Sequence, residues 1–310
     1  MTLFEHSASR RTVLTALAAA ATAGAPVLGQ LAAATPAAAT PPSDATLPDP
    51  LEYPSNTALY QDPDLVEGTS YSRRYKRHEK LDPKLSEKYE FPRTVILALH
   101  GGGIEIGTSE LALGIAGYNP RNVGGDPILP TTYDYWMFEG LLSTGNKALH
   151  VTSKNCDDHV ALSFVRSHLN VLSLHGCQFD QLKLPTATYP PTGNLRVAVV
   201  GGLNAAFRSA LVTEINNAGF QAVDAYDPRY SATLGEFNGS HPTNPCNLTM
   251  LGKGAQIEMT TELRESLFGD PSSRGDRADT WDKSKDAAFE RFRDACRRAI
   301  ATVESGQPIL

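Results

Sequence analysis

The sequence predicts an α/β fold in which a mainly parallel sheet is covered by helices on both faces. Three observations carry this. Apolar runs of strand length recur, capped helix-like segments stand between them, and two of the runs deliver a histidine followed at once by glycine. Strand–helix alternation joins parallel strands by crossovers, and such sheets are buried on both sides.

Residues 49–92 are polar and punctuated by proline, with a basic cluster Arg73-Arg74-Tyr75-Lys76-Arg77-His78. Thr94–Leu99, all apolar after the threonine, reads as the first strand. Thr108-Ser109-Glu110 reads as a helix start and Gly117 as its stop. Lys147–Thr152 reads as a second short strand, and Asp157 as the cap of a helix carrying Val160, Phe164 and His168 on one face. Asn170–Leu174 is a third strand ending at His175, and Arg196–Val200 a fourth ending at Gly201-Gly202. Asn204 caps the clearest helix: Phe207, Leu211, Ile215 and Ala218 recur at helical spacing and Gly219 ends it. Gln256–Met259 reads as another strand. The last helix, about Lys283 to Glu304, turns Phe289, Phe292, Cys296, Ala299 and Val303 to the core.

Ahead of these elements lies a targeting segment. Arg10-Arg11 stands within Ser9-Arg10-Arg11-Thr12-Val13-Leu14, before an alanine-rich apolar stretch reaching about Leu31. That is the layout of a twin-arginine signal, and it is too weakly apolar for a spanning helix, which needs about 20 strongly apolar residues. The expected organisation is a twin-arginine signal peptide with a disordered Ala/Pro linker over 1–40, then a single domain over 49–304. About 255 residues suffice for one large domain. The expected destination is secreted or extracellular. No later segment is apolar enough to insert stably in a membrane. Twin-arginine export carries folded proteins, so a metal could be loaded before crossing. Formal charge is -6, and near -7 once Arg10, Arg11 and Glu5 are removed, which argues against a nucleic-acid partner. Cys156, Cys177, Cys246 and Cys296 show no CxxC spacing, so a thiolate zinc site is improbable. In an exported protein they can form up to two disulfides in any of three pairings.

The chemistry concentrates behind the first strand. His100 is followed by Gly101-Gly102-Gly103, Ile104 and Glu105. A strand that delivers a histidine, turns on glycine and presents a carboxylate sets an imidazole beside an oxygen ligand. That pair suits Zn²⁺ in a catalytic centre. His175 ends a second strand on the same rim, where ligands gather in open α/β sheets. It supplies the distant third ligand, leaving one position for water. His-Gly-Gly-Gly also occurs as an oxyanion-hole loop in lipases and esterases, but no serine here lies in the Gly-x-Ser-x-Gly elbow those enzymes need.

The segment His100-Gly-Gly-Gly-Ile-Glu105-Ile-Gly-Thr108-Ser109-Glu110-Leu111 resembles the signature of the phage-type poly-γ-glutamate hydrolase family. Leu149-His150-Val151-Thr152-Ser153, Ser173-Leu174-His175-Gly176, Val200-Gly201-Gly202 and Gly254-Ala255-Gln256-Ile257-Glu258-Met259, with Leu263-Arg264 behind, fit the same pattern in the same order. The likeness spans roughly Thr94 to Leu267. It implies a three-layer α/β/α sandwich like that of zinc carboxypeptidases and one Zn²⁺ ion held by His100, Glu105 and His175. It further implies Glu258 as the general base acting on zinc-activated water. Carboxypeptidases proper use His-x-x-Glu, whereas here four residues intervene, the variant associated with the poly-γ-glutamate branch.

The resemblance implies an exported zinc-dependent hydrolase of γ-glutamyl amide bonds, with an anionic γ-linked glutamate polymer as partner. A cell-wall peptide is the same-chemistry rival. A non-catalytic wall- or polyanion-binding protein is the rival from another class. A polyanion needs a local positive lining, for which Arg264, Lys253 and the Arg73–Lys80 cluster are candidates, and His150 can line the cleft. His150 and Arg264 are taken as the substrate-binding candidates.

Overall fold

The computed structural model describes residues 53–78, 92–122, 124–184 and 194–307. Seven strands form one mixed sheet: β1 (Tyr71–Lys76), β2 (Thr94–Gly102), β3 (Asp134–Gly140), β4 (Asn170–Cys177), β5 (Val197–Gly201), β6 (Gln221–Asp224) and β7 (Ala255–Thr260). Their order across the sheet is β1-β3-β2-β4-β7-β5-β6. The four central strands β3, β2, β4 and β7 run parallel, β1 pairs antiparallel with β3, and β5 pairs antiparallel with β7 while running parallel to β6. The helices are α1 (Asn56–Tyr60), α2 (Thr108–Ala116), α3 (His159–Arg166), α4 (Ala205–Asn217), α5 (Thr261–Ser266), α6 (Arg274–Thr280) and α7 (Ala288–Ser305).

The predicted three-layer α/β/α sandwich is what the chain forms. One core lies between the sheet and α2, α4 and α7, with Ile96, Leu172, Ile257, Leu111, Phe207, Leu211, Phe289 and Phe292 fully buried. A second lies on the opposite face under α1 and α3, where Leu97, Trp136, Phe138, Val171, Leu59 and Phe164 meet. Successive strand residues alternate between these cores, as the period of two requires. Leu47–Leu310 make up one compact unit.

Several expected elements differ. No strand forms over Lys147–Thr152: Asn146–Leu149 is a single 3-10 turn and the chain then runs extended. The strand between α2 and α3 is instead β3, Asp134-Tyr-Trp-Met-Phe-Glu-Gly140, every residue of it buried. Its continuous burial leaves no polar–apolar alternation to read. The basic cluster overlaps β1, an edge strand, where charge is tolerated because one side is open. The cap of α3 is Asp158, which accepts from the Val160 and Ala161 N–H groups, while Asp157 accepts from the Thr57 N–H. The last helix begins at Ala288 rather than near Lys283. All four cysteines are free and buried, in place of the disulfides the sequence allowed. Among the described residues no helix is long and apolar enough to cross a membrane. The targeting segment and linker, residues 1–40, lie outside the described residues.

Candidate metal centre

β2 ends in a tight return. The carbonyl of His100 accepts the Glu105 N–H at 2.8 Å, which folds the glutamate back beside the histidine that precedes it by five positions. Gly102 makes the return possible: its φ is +65°, and a Cβ there would stand 2.4 Å from the Gly140 carbonyl oxygen. The carboxylate is then held from two sides. Oε1 lies 3.0 Å from His100 Nδ1, and Oε2 accepts the Gly176 N–H from β4 at 2.8 Å.

β4 carries His175 to the same rim. His175 Nδ1 faces His100 Nδ1 at 3.3 Å and stands 3.9 Å from Glu105 Oε2. His100, Glu105 and His175 are the group of potential ligands brought to one point among the described residues. Donors about 2.0–2.2 Å from a tetrahedral zinc stand about 3.3–3.6 Å apart; the two Nδ1 atoms meet this at 3.3 Å, and the Glu105 oxygens bracket it, Oε1 at 3.0 Å from His100 and Oε2 at 3.9 Å from His175. The outer nitrogens complete the test. His100 Nε2 donates to the Val151 carbonyl at 2.8 Å, and His175 Nε2 meets Ser173 Oγ at 2.8 Å. The Val151 carbonyl can only accept, so His100 Nε2 is a donor; with His175 Nε2 donating to the Ser173 hydroxyl in the same way, both Nδ1 atoms would present lone pairs to one another, an arrangement that a cation between them stabilises. Burial pushes the His175 imidazole down to about 3, so it is neutral, the form that ligates. Burial works to raise Glu105, but the imidazoles of His100, His175 and His150 outweigh it and keep the carboxylate ionised.

These groups floor a cavity of about 440 Å³. Glu258 lies there too, because β7 pairs with β4 in the register that sets Glu258 opposite His175. Burial, then the charge of Glu105, drives its carboxyl well above the ordinary range, with Arg264 opposing. Oε1 of Glu258 accepts from Gln256 Nε2 at 3.1 Å, and Gln256 Oε1 in turn accepts from Asn244 Nδ2 at 2.8 Å.

His150 lines the cavity, its ring centroid 4.0 Å from that of His100. Arg264 does not. It is 6% exposed and spends its guanidinium on the Met259 and Ile106 carbonyls and Thr261 Oγ1, tying the loop after Glu105 to the end of β7. Its place is behind Gly176, where a Cβ would meet Arg264 Nε at 2.6 Å. Lys253 is exposed and is not part of the cavity wall. Arg73 pairs with Glu67 and Asp158, and Arg74 with Glu139, so these members of the basic cluster serve the edge of the sheet. Glu79 and Lys80 lie outside the described residues.

Ser173, Gln256 and Lys154 were not singled out from the sequence. A signal existed for two of them: Ser173 and Gln256 each precede a predicted site residue by two on a strand and so share its face.

The chain resembles known proteins in sequence and in fold. A family model described as poly-gamma-glutamate hydrolase matches residues 70–295. UPF0714 protein YndL of Bacillus subtilis (strain 168) is 34% identical over 175 residues, 56% of each chain. The SPbeta prophage-derived UPF0714 protein YoqZ of the same organism is 30% identical over 177 residues, 57% of this chain and 52% of that one. The matched stretch thus spans little more than half the length of these relatives. Among solved structures, a bacteriophage poly-gamma-glutamate hydrolase superposes with a TM-score of 0.60 at 27% identity, covering 82% of this chain and 99% of that one. A zinc-free apo form of YndL superposes equally well at 28% identity, covering 81% and 98%.

Proposed function

The chain belongs to the poly-γ-glutamate hydrolase family, which makes it a hydrolase, and from that premise we propose a zinc-dependent amidase that cleaves the γ-glutamyl bonds of poly-γ-glutamate outside the cell. The observation that carries this reading is the meeting of His100 Nδ1, Glu105 and His175 Nδ1 on the floor of a cavity that also presents Glu258.

His100, Glu105 and His175 would hold the ion, with the Val151 carbonyl and Ser173 Oγ fixing the two rings. Zinc there supplies Lewis acidity toward the scissile carbonyl and the attacking water. Glu258 takes the proton of that water and returns it to the leaving nitrogen. Its raised carboxyl suits both directions, because a group that is too acidic is a poor base. Gln256 donates to Oε1 and so orients the carboxyl group. A carboxyl so placed needs a reason, since burying it costs stability unless it is paired.

The test is incubation of zinc-loaded protein with poly-γ-glutamate, with and without a chelator, followed by sizing of the products. Shortening of the polymer that the chelator abolishes supports the reading. An intact polymer beside degraded cell-wall peptide moves the substrate to the wall, and an intact polymer in every reaction sinks the reading.

The Arg10-Arg11 segment supports export by the twin-arginine route, leaving residues 49–304 as the single hydrolase domain. Replacing both arginines with lysine should retain the protein inside the cell. Unchanged secretion would contradict this route.

A further inference from the structure

We propose that Lys154 binds the free α-carboxylate on the carbon that bears the leaving nitrogen, and so makes the cavity selective for γ-linked glutamate. This rests on the function proposed above and adds the residue that reads the substrate.

The charge of the cavity wall motivates it. Three carboxyl groups line the space, from Glu105, Glu236 and Glu258, and among the described residues Lys154 is the single lysine or arginine that lines it. Besides a bound ion, Lys154 is then the one permanently cationic side chain among the described residues that a substrate carrying one carboxylate per residue meets on this wall. The cations favoured from the sequence are elsewhere: Arg264 is buried behind the rim, and Arg73 and Arg74 are paired at the sheet edge.

Its backbone is fixed relative to the reacting centre. Lys154 lies in a 3-10 turn, Ser153–Asn155, three residues after Val151, whose carbonyl orients His100. The Thr243 hydroxyl donates to the Lys154 carbonyl at 2.6 Å and lies 2.9 Å from His241 Nδ1. One threonine therefore ties the Lys154 turn to the facing loop, and both Lys154 and His241 stand on the cavity wall.

The substrate's covalent structure supplies the rest. In a γ-linked chain the carbon attached to the scissile nitrogen carries a free carboxylate. Inside an α-linked chain the same carbon carries a peptide carbonyl, and the carboxylate is displaced down the side chain. A cation near the leaving side separates the two linkages by a charge-assisted hydrogen bond, the stronger kind.

The experiment compares γ-glutamyl oligomers bearing free α-carboxylates with the same oligomers bearing α-carboxamides, in the D and the L series. The readout is the ratio of kcat/KM values on the two substrates, alongside zinc content. Lys154→Met should lower the wild-type preference for the carboxylate about tenfold, mainly through KM, and Lys154→Arg should restore it, with zinc content equal in all three proteins. An unchanged ratio in Lys154→Met, or a fall accompanied by loss of zinc, overturns the inference. A wild-type protein inert on both substrates overturns the functional reading and this inference with it; active wild type with an unaltered ratio overturns this inference alone.

Discussion

Among the described residues, two sets of two histidines and one carboxylate stand at opposite ends of the parallel strands. At the carboxyl end stand His100, Glu105 and His175. At the amino end of β3, Asp134 sits between His78 and His168: Oδ1 is 2.7 Å from His78 Nδ1 and Oδ2 is 3.3 Å from His168 Nε2. The same three kinds of side chain produce different objects. In the Asp134 cluster the carboxylate is the hub, and both of its oxygens are taken. The outward nitrogens are taken as well, His78 Nε2 by the Tyr118 hydroxyl and His168 Nδ1 by the Phe164 carbonyl at 2.6 Å. In the rim cluster the imidazoles are anchored from behind by Val151 and Ser173, and their inner nitrogens converge on a shared point beside a cavity. Residue types do not make a metal centre. The direction in which their lone pairs point, and the space left in front of them, do.

Breaking each cluster should give opposite signatures. His175→Ala should remove zinc and lower hydrolysis by about a thousandfold or more, while Asp134→Asn should leave both close to wild type. Elemental analysis and polymer sizing check this; zinc loss in Asp134→Asn would merge the two clusters into one functional unit. Glu258→Gln should lower kcat by about 10²–10⁴ with zinc retained, which separates proton transfer from metal binding within the rim site. Substantial activity in that variant would remove Glu258 from the mechanism.

Asp134→Asn should instead show itself in stability, by about 2–4 kcal/mol, because it leaves buried histidine nitrogens poorly matched. Its pH dependence has a defined sign. Burial acts to raise the Asp134 carboxyl, but hydrogen bonds from His168 and His78 outweigh it and hold the group well below the usual carboxylate range. The stabilisation is therefore fully present above the unfolded pKa of about 3.9 and is lost as pH falls below it. Denaturant melts should show wild type losing stability on acidification through that range, and Asp134→Asn losing less. Parallel acid limbs for the two proteins would contradict the assignment. The smallest effect belongs to Ser173→Ala, which should weaken zinc affinity about tenfold with the fold intact. Competition titration against a chromophoric chelator measures it, and an unchanged affinity would mean that His175 is oriented without Ser173.

Much of this was legible in the chain itself. The histidines at the ends of two apolar strands, and the return to Glu105, are local signals, since strand register and a glycine turn span few residues. β3 was not legible, because a strand buried along its whole length carries no alternation. β1 was concealed by its charges, which an edge strand tolerates. Arg264 illustrates the other kind of failure: its sequence neighbourhood places it near the site, but only the packing of the Ile106 loop against β7 turns its guanidinium away from the cavity.

By itself, the sequence determined the strand–helix alternation, the family and the identities of the converging groups, because periodicity, capping and short turns act over a few residues. The tertiary structure decided which nitrogen of each ring faces inward and which of two His–carboxylate clusters opens on a cavity. It also decided which cation stands on the wall. Those outcomes depend on carbonyls, hydroxyls and loops contributed from distant parts of the chain, such as Val151 against His100 and Thr243 against Lys154. Their directions are fixed only when the sheet has assembled.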